Sequence, residues 1–287
     1  MKWDKMRRSE NVEDVRGTST VGRATGVGIG SLVIALLAGA IFGVNPVTVL
    51  NTMQGISSAP TSSVQQQPAQ NGITDQESEF VKAVLGDTED TWSAIFKQQL
   101  RTSYQPPRLV LFRDGVNSAC GMASTASGPF YCPPNQKVYL DMRFFQKIEA
   151  TAGANADFAR AYAIAHEVGH HIQNQLGIAS QVKQAQAQSS KSRSNALSVL
   201  LELQADCFAG IWGHHTARRG LIGERDVEGA MNAAAQIGDD YIQRRSQGYV
   251  VPESFTHGSS KERVRWFNKG LQSGSIQQCD TFAAAGR

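Results

Sequence analysis

His166-Glu167-Val168-Gly169-His170 carries the densest chemistry in the chain: two histidines four residues apart, with a glutamate directly after the first. Four residues advance an α-helix by ~400°, so both imidazoles leave one face, about 6 Å apart along the axis. That spacing suits two ligands of a single tetrahedral zinc ion. Glu167 lies ~100° round the same helix, close enough to act as general base on a zinc-bound water without itself binding the metal. Phe158, Tyr162, Ala165, Ile172 and Leu176 recur at helical spacing around the motif, with Asp157 the expected N-cap and Gly177 the expected stop.

A second helical run, 195–216, carries Glu202 and Asp206, again four apart. Around them stand Leu197, Leu200, Leu201, Leu203, Phe208, Ile211 and Trp212. Carboxylates in so apolar a helix are costly unless paired or bound to metal. Glu202 as third protein ligand leaves the fourth zinc position open to water, as catalytic zinc requires. Asp206, one turn on, would accept a hydrogen bond from the far ring nitrogen of His166 or His170 and fix its tautomer.

H-E-x-x-H followed by E-x-x-x-D resembles the glutamate-type zincins, the broad group that includes thermolysin. More narrowly, the chain resembles the bacterial neutral zinc metallopeptidase family of membrane-anchored proteins. The resemblance rests on Met1-Lys2-Trp3-Asp4, Ser9-Glu10-Asn11-Val12-Glu13-Asp14, Cys120-Gly121, Gly128-Pro129-Phe130-Tyr131-Cys132, Val138-Tyr139-Leu140-Asp141, the H-E-V-G-H-H run and Phe255-Thr256-His257-Gly258-Ser259, so it covers nearly the whole chain. It implies a zincin-like fold with His166, His170 and Glu202 on Zn²⁺ and Glu167 as catalytic base. One departure stands out. The gap from His170 to Glu202 is longer than in thermolysin-like enzymes and carries a polar stretch, 173–193, expected to lie exposed near the cleft as a gate or a passive excursion.

The remaining histidines divide. His171 is rotated ~100° from His170 and is expected on the helix surface or behind the ligands. His214 and His215, near a helix end beside Arg218 and Arg219, read as structural. His257 precedes a capping box, Ser259-Ser260-Lys261-Glu262, that should open a helix carrying Val264, Trp266, Phe267 and Leu271. Held there, it could donate to the oxyanion of a tetrahedral intermediate, or it is a loop histidine without a role.

Residues 26–44 form a continuous uncharged, mostly apolar run, long enough at ~1.5 Å per residue to cross ~28 Å of hydrocarbon. Lys2, Lys5, Arg7, Arg8, Arg16 and Arg23 precede it, and no lysine or arginine follows until Lys82. The positive-inside rule then makes 1–25 a cytoplasmic segment, 26–44 an uncleaved single-pass transmembrane helix, and everything beyond extracytoplasmic, periplasmic or on the cell surface. Ala38-Gly39-Ala40 has the form of a signal-peptide cleavage site, but the apolar run continues past it and the preceding segment is long and contains acidic residues. Gly26/Gly30 and Gly39/Gly43 are G-x-x-x-G pairs that could join two anchors as a homodimer. Residues 45–73, rich in Ser, Gln, Pro, Thr and Ala, read as a flexible tether.

A single domain, 74–287, is left to bury its own core. A capping box at Thr74-Asp75-Gln76-Glu77 should start a helix through Leu85, with a second from Asp87 to Leu100. Short strands are expected at 109–112, 130–132 and 137–140, then the metal helices, a helix at 224–245 and the capped helix from Ser260. The fold class is α+β: a mainly helical, zincin-like metallopeptidase domain with a small antiparallel-containing sheet. The Val138-Tyr139-Leu140 strand is the expected edge for binding a substrate backbone. Cys120 and Cys132 flank a short loop and are the easiest pair to bridge; Cys207 either pairs with Cys279 or is an inert core thiol. A net charge of +3 without a basic patch gives no reason to expect nucleic acid. The expected partners are the membrane and a peptide or protein substrate, and the expected activity is zinc-dependent endopeptidase. The rival from another class is a zinc-stabilised, catalytically silent binding or chaperone-like module of the cell envelope.

Overall fold

Alternation in the strands decides the layering. Arg108–Phe112 (β2) and Lys137–Asp141 (β6) are buried on both faces: Leu109, Leu111, Val138 and Leu140 enter the main core, whereas Val110, Phe112 and Tyr139 enter a smaller one. In the computed structural model, which describes residues 1–17, 75–124, 128–152 and 156–286, these two strands pair with each other at the centre of a four-stranded sheet. Val12–Asp14 (β1) and β6 run parallel to β2, and Phe130–Cys132 (β5) runs antiparallel to β6. A separate hairpin, Gly115–Ser118 (β3) with Gly121–Ser124 (β4), contributes Val116 and Ala123 to the smaller core. Helices cover the other face.

In chain order the helices are Gln76–Ile95 (α1), Met142–Ala152 (α2), Ala156–Gln175 (α3), Ile178–Ala187 (α4), Lys191–Arg218 (α5), Glu224–Gln236 (α6), Asp239–Gln247 (α7), Ser260–Ser273 (α8) and Thr281–Ala285 (α9). The protein is thus mainly helical with a small mixed sheet, as the sequence implies. Helix α5 is long and apolar enough to span a membrane by composition, but two-thirds of its most apolar window, 67%, is buried within the protein. It is the central core helix.

Several expectations change. The two helices expected on either side of Gly86 are one. Its cap is Asp75, whose side chain accepts from the Ser78 amide, not Thr74 with Glu77. Asp87 stays inside the helix because Trp212, Thr216 and Arg219 all bond its carboxylate. Asp157 lies in the first turn of α3 and does not cap it. The run 224–245 breaks into α6 and α7 at Gly238. Strand β6 is interior, not an edge: Val138, Tyr139 and Leu140 are buried between β2 and β5. The edge beside the metal helices is β5, where the Tyr131 hydroxyl meets His171 and Asn174 of α3.

The largest correction concerns the N-terminus. Residues 1–25 were expected to stand apart from the domain, yet residues 1–17 are part of it, with β1 completing the main sheet. The apolar run 26–44, its G-x-x-x-G pairs and the tether 45–73 lie outside the described residues.

Candidate metal centre

Helices α3 and α5 pack closely because Gly169, between the two motif histidines, faces Ala205. A Cβ on Gly169 would stand 2.9 Å from the Ala205 carbonyl oxygen, too close for any side chain. This contact brings Glu202, three residues before Ala205, level with His166 and His170. The Glu202 carboxylate lies 3.2 Å from His166 Nε2 and 3.3 Å from His170 Nε2. One atom from each of the three residues falls within 4.8 Å of the others, a grouping that could hold a metal ion.

The outer ring nitrogens are both engaged. His166 Nδ1 donates to Asp206 Oδ1 at 2.8 Å, since an ionised carboxylate can only accept. His170 Nδ1 donates to Gln173 Oε1 at 2.9 Å. Gln173 in turn donates to the Leu201 carbonyl at 2.7 Å, beside Glu202. With each Nδ1 committed as a donor, Nε2 is the ring atom left for a metal, and both Nε2 atoms face the Glu202 carboxylate. Two imidazoles with fixed tautomers and one carboxylate are a donor set suited to zinc with a position left open.

Asp206 is fully buried and offset by Arg263 from α8, which donates to it through Nε at 2.8 Å and Nη2 at 2.9 Å. The Tyr162 hydroxyl also donates to Asp206. Burial alone would raise the Asp206 pKa, but Arg263 and His166 outweigh it and hold it below the usual carboxylate range. Burial would likewise lower His166, yet Asp206 and Glu202 push its pKa up to about 10. Glu202 is held well below its ordinary value, with burial overcome by both histidines. Protons and a metal therefore compete for these rings. Glu167 is buried on α3 between the ligands, and its charge is felt by His170.

His257 lies in the loop before α8, near enough to the cluster for its charge to act on Glu202. Gly258 beside it lies against Val199 and Leu203 of α5, flanking Glu202. Asp239, at the start of α7, builds the loop: its Oδ2 accepts from the amides of Thr256, His257 and Gly258 at 2.7, 2.6 and 3.0 Å. Its Oδ1 stands 3.2 Å from His257 Nδ1. Burial opposes charge on His257, but Asp239 and Glu202 outweigh it and raise its pKa.

The structure thus brings together His166, Glu167, His170, Glu202, Asp206 and His257. His171 departs from expectation. It is fully buried, bonded to Tyr131 and Gln105, and fastens α3 to β5. His214 and His215 bond the carbonyls of Leu271 and Gly274 at the end of α8, a structural role. Cys120 pairs with Cys132, and Cys207 with Cys279, the latter tying the C-terminal segment to α5 beside Asp206. Sequence reasoning missed Gln173, Tyr162, Arg263 and Asp239. Only Gln173 carried a signal, three residues beyond a ligand histidine on the same helix.

This arrangement defines a protein with a candidate mononuclear zinc site between two core helices. The chain belongs to a metallopeptidase family: the family model described as "Putative neutral zinc metallopeptidase" matches residues 1–282. It is 43% identical over 293 residues to "Uncharacterized protein YpfJ" of Escherichia coli (strain K12), covering 98% of this chain and 99% of that one. It is also 38% identical over 217 residues to "Uncharacterized protein Rv2575" of Mycobacterium tuberculosis (strain ATCC 25618 / H37Rv), covering 72% of each. No solved structure matches it.

Proposed function

We propose that the protein is a membrane-attached zinc metalloendopeptidase whose domain works outside the cytoplasm. The observation that carries this reading is the orientation of the donors. Asp206 and Gln173 occupy both outer ring nitrogens, so His166 Nε2, His170 Nε2 and the Glu202 carboxylate face one point. Zinc held by these three residues supplies a Lewis acid that polarises the scissile carbonyl and acidifies water.

The chain's own groups supply the rest. Glu167 takes the proton of the attacking water and passes it to the leaving amine as the C–N bond breaks. His257, with Nδ1 hydrogen-bonded to Asp239, uses Nε2–H to donate to the negative oxygen that develops on the attacked carbonyl. Asp239 and Glu202 raise its pKa against the effect of burial, which favours the form of the ring that carries this hydrogen. The outer edge of β5, next to α3, is the surface on which an extended peptide adds as a further strand. This puts the substrate-binding edge on β5 in place of β6 and supports a zincin-like organisation of the site. Two disulfides are consistent with an oxidising compartment, and the apolar run 26–44 supplies membrane attachment.

The test is zinc analysis of the purified full chain, together with cleavage of unfolded protein and peptide libraries with and without chelator. Zinc-dependent cleavage supports the enzyme. Stoichiometric zinc with no cleavage of any library favours the silent binding module.

A further inference from the structure

Residues 1–17 are joined to the domain by contacts that are built rather than incidental. The Asn11 carbonyl accepts from the Leu109 amide at 2.8 Å, and the strand that follows, β1, keeps parallel register with β2. Glu89 of α1 is buried, and the partners of its carboxylate come from this segment: Arg7 at 2.7 Å, Ser9 at 2.6 Å and Asn11 at 2.8 Å. Where the segment crosses α1, the helix carries Gly86, because a Cβ there would stand 2.5 Å from the Arg7 carbonyl oxygen. The far end is fastened too. Arg16, its side chain 1% exposed, bridges Asp14 and Asp75, with Nη1 2.7 Å from Asp75 Oδ2.

That last pair spans the whole intervening stretch. Arg16 and Asp75 flank residues 17–74, so the two ends of that stretch meet at one ion pair. A hydrocarbon core of ~30 Å cannot lie between groups in contact. We infer that residues 1–17 and the domain lie on the same side of the membrane, so that between them the chain crosses it an even number of times, zero included. This replaces the cytoplasmic N-terminus and single pass expected from the charge pattern.

The charges have another explanation. Arg7 pairs with Glu89 and Asp90, Arg8 with Glu79, Arg16 with Asp14 and Asp75, and Lys2 donates to the Gly220 carbonyl. Cations neutralised in a folded domain answer the needs of that fold. The positive-inside rule counts cations flanking a span, and most of those here are engaged in the domain.

Single-cysteine reporters in the full chain decide the matter, because no cysteine is free among the described residues. Glu10→Cys and Lys183→Cys place exposed thiols on the N-terminal segment and on α4. Lys5→Cys and Lys97→Cys form a second pair at independent exposed positions. Spheroplasts are treated with a membrane-impermeant maleimide before and after lysis, beside a cytoplasmic reporter that must stay unlabelled until lysis. The expected result is that both members of each pair label before lysis. Labelling of both only after lysis also supports a shared side, but removes the extracytoplasmic placement proposed above. Labelling of one member before lysis and the other only after would overturn the inference.

Discussion

Asp206 Oδ1 lies 2.8 Å from His166 Nδ1, one helical turn beyond Glu202 on α5, so one helix supplies both a candidate metal ligand and the group that orients another. Asp206→Asn keeps the size of the side chain but weakens this charge-assisted bond. The expected outcome is a loss of roughly 10–100-fold in zinc affinity with the fold retained. Competition with a fluorescent chelator measures it, and unchanged affinity would remove Asp206 from the site.

Arg263 is the counter-charge that makes a fully buried Asp206 tolerable. Arg263→Met leaves that carboxylate unpaired and should destabilise the zinc-free protein by about 3–5 kcal/mol. Arg263→Lys keeps the charge but not the two-atom contact, and should fall between the two. Urea denaturation in chelator reads the difference without a contribution from metal. Stability equal to the parent in Arg263→Met would show that Asp206 does not depend on this arginine.

Asp239 holds His257 by its ring and by three backbone amides. His257→Ala should retain zinc and lower kcat by roughly 10²–10³, the effect of removing an oxyanion donor. Asp239 and Glu202 raise the His257 pKa against the effect of burial, so donation from Nε2 persists to higher pH than an ordinary histidine allows and is lost as pH rises through that value. Asp239→Asn should therefore move the alkaline limb of the kcat profile to lower pH. A profile unchanged in both variants would leave His257 without a role in turnover.

The motif helices were legible because helical spacing alone puts His166 with His170, and Glu202 with Asp206, on shared faces. What spacing could not show was the contact between helices. That depends on Gly169 meeting Ala205, a pairing with no trace in either segment alone. Arg263 and Asp239 were hidden for the same reason, since their partners lie far away in sequence. The interior place of strand β6 was not legible because side-chain alternation reports which faces of a strand are buried, not how many strands pair with it in the plane of the sheet. The place of the N-terminal segment in the fold was hidden because its arginines pair with Glu89, Asp90, Glu79 and Asp75, residues far away in sequence. The polar stretch 173–193, expected to lie exposed, does so only in part: Gln173 is buried and 174–179 are half-buried, whereas 180–193 are largely exposed. It folds largely into α4, where Val182 is the single buried side chain of the helix.

The attachment of the N-terminal segment should fail in acid. Burial would raise Glu13 and Asp75, but Lys137 and Arg108 outweigh it for the first, and the Ser78 amide with Arg16 for the second. Lys82 and Arg8 lower Glu79. All three folded-state values lie below those of the unfolded chain, so their contribution is present above the ordinary carboxylate range of ~4 and is lost as pH falls through the folded values. Limited proteolysis followed by mass spectrometry should show cuts within residues 1–17 increasing below about pH 4. Equal protection at pH 7 and at that acid limit would count against ion pairing as the fastening.

The most direct measurement compares the full chain with its Glu167→Gln variant at equal zinc content, on a library of unstructured peptides. Glutamine is nearly the same size but cannot take the proton of the attacking water. About one zinc per chain is expected in both proteins, matching the one donor set found among the described residues, with cleavage abolished by chelator in the parent and absent from the variant. Equal cleavage by the two proteins, or none by the fully zinc-loaded parent, would contradict it.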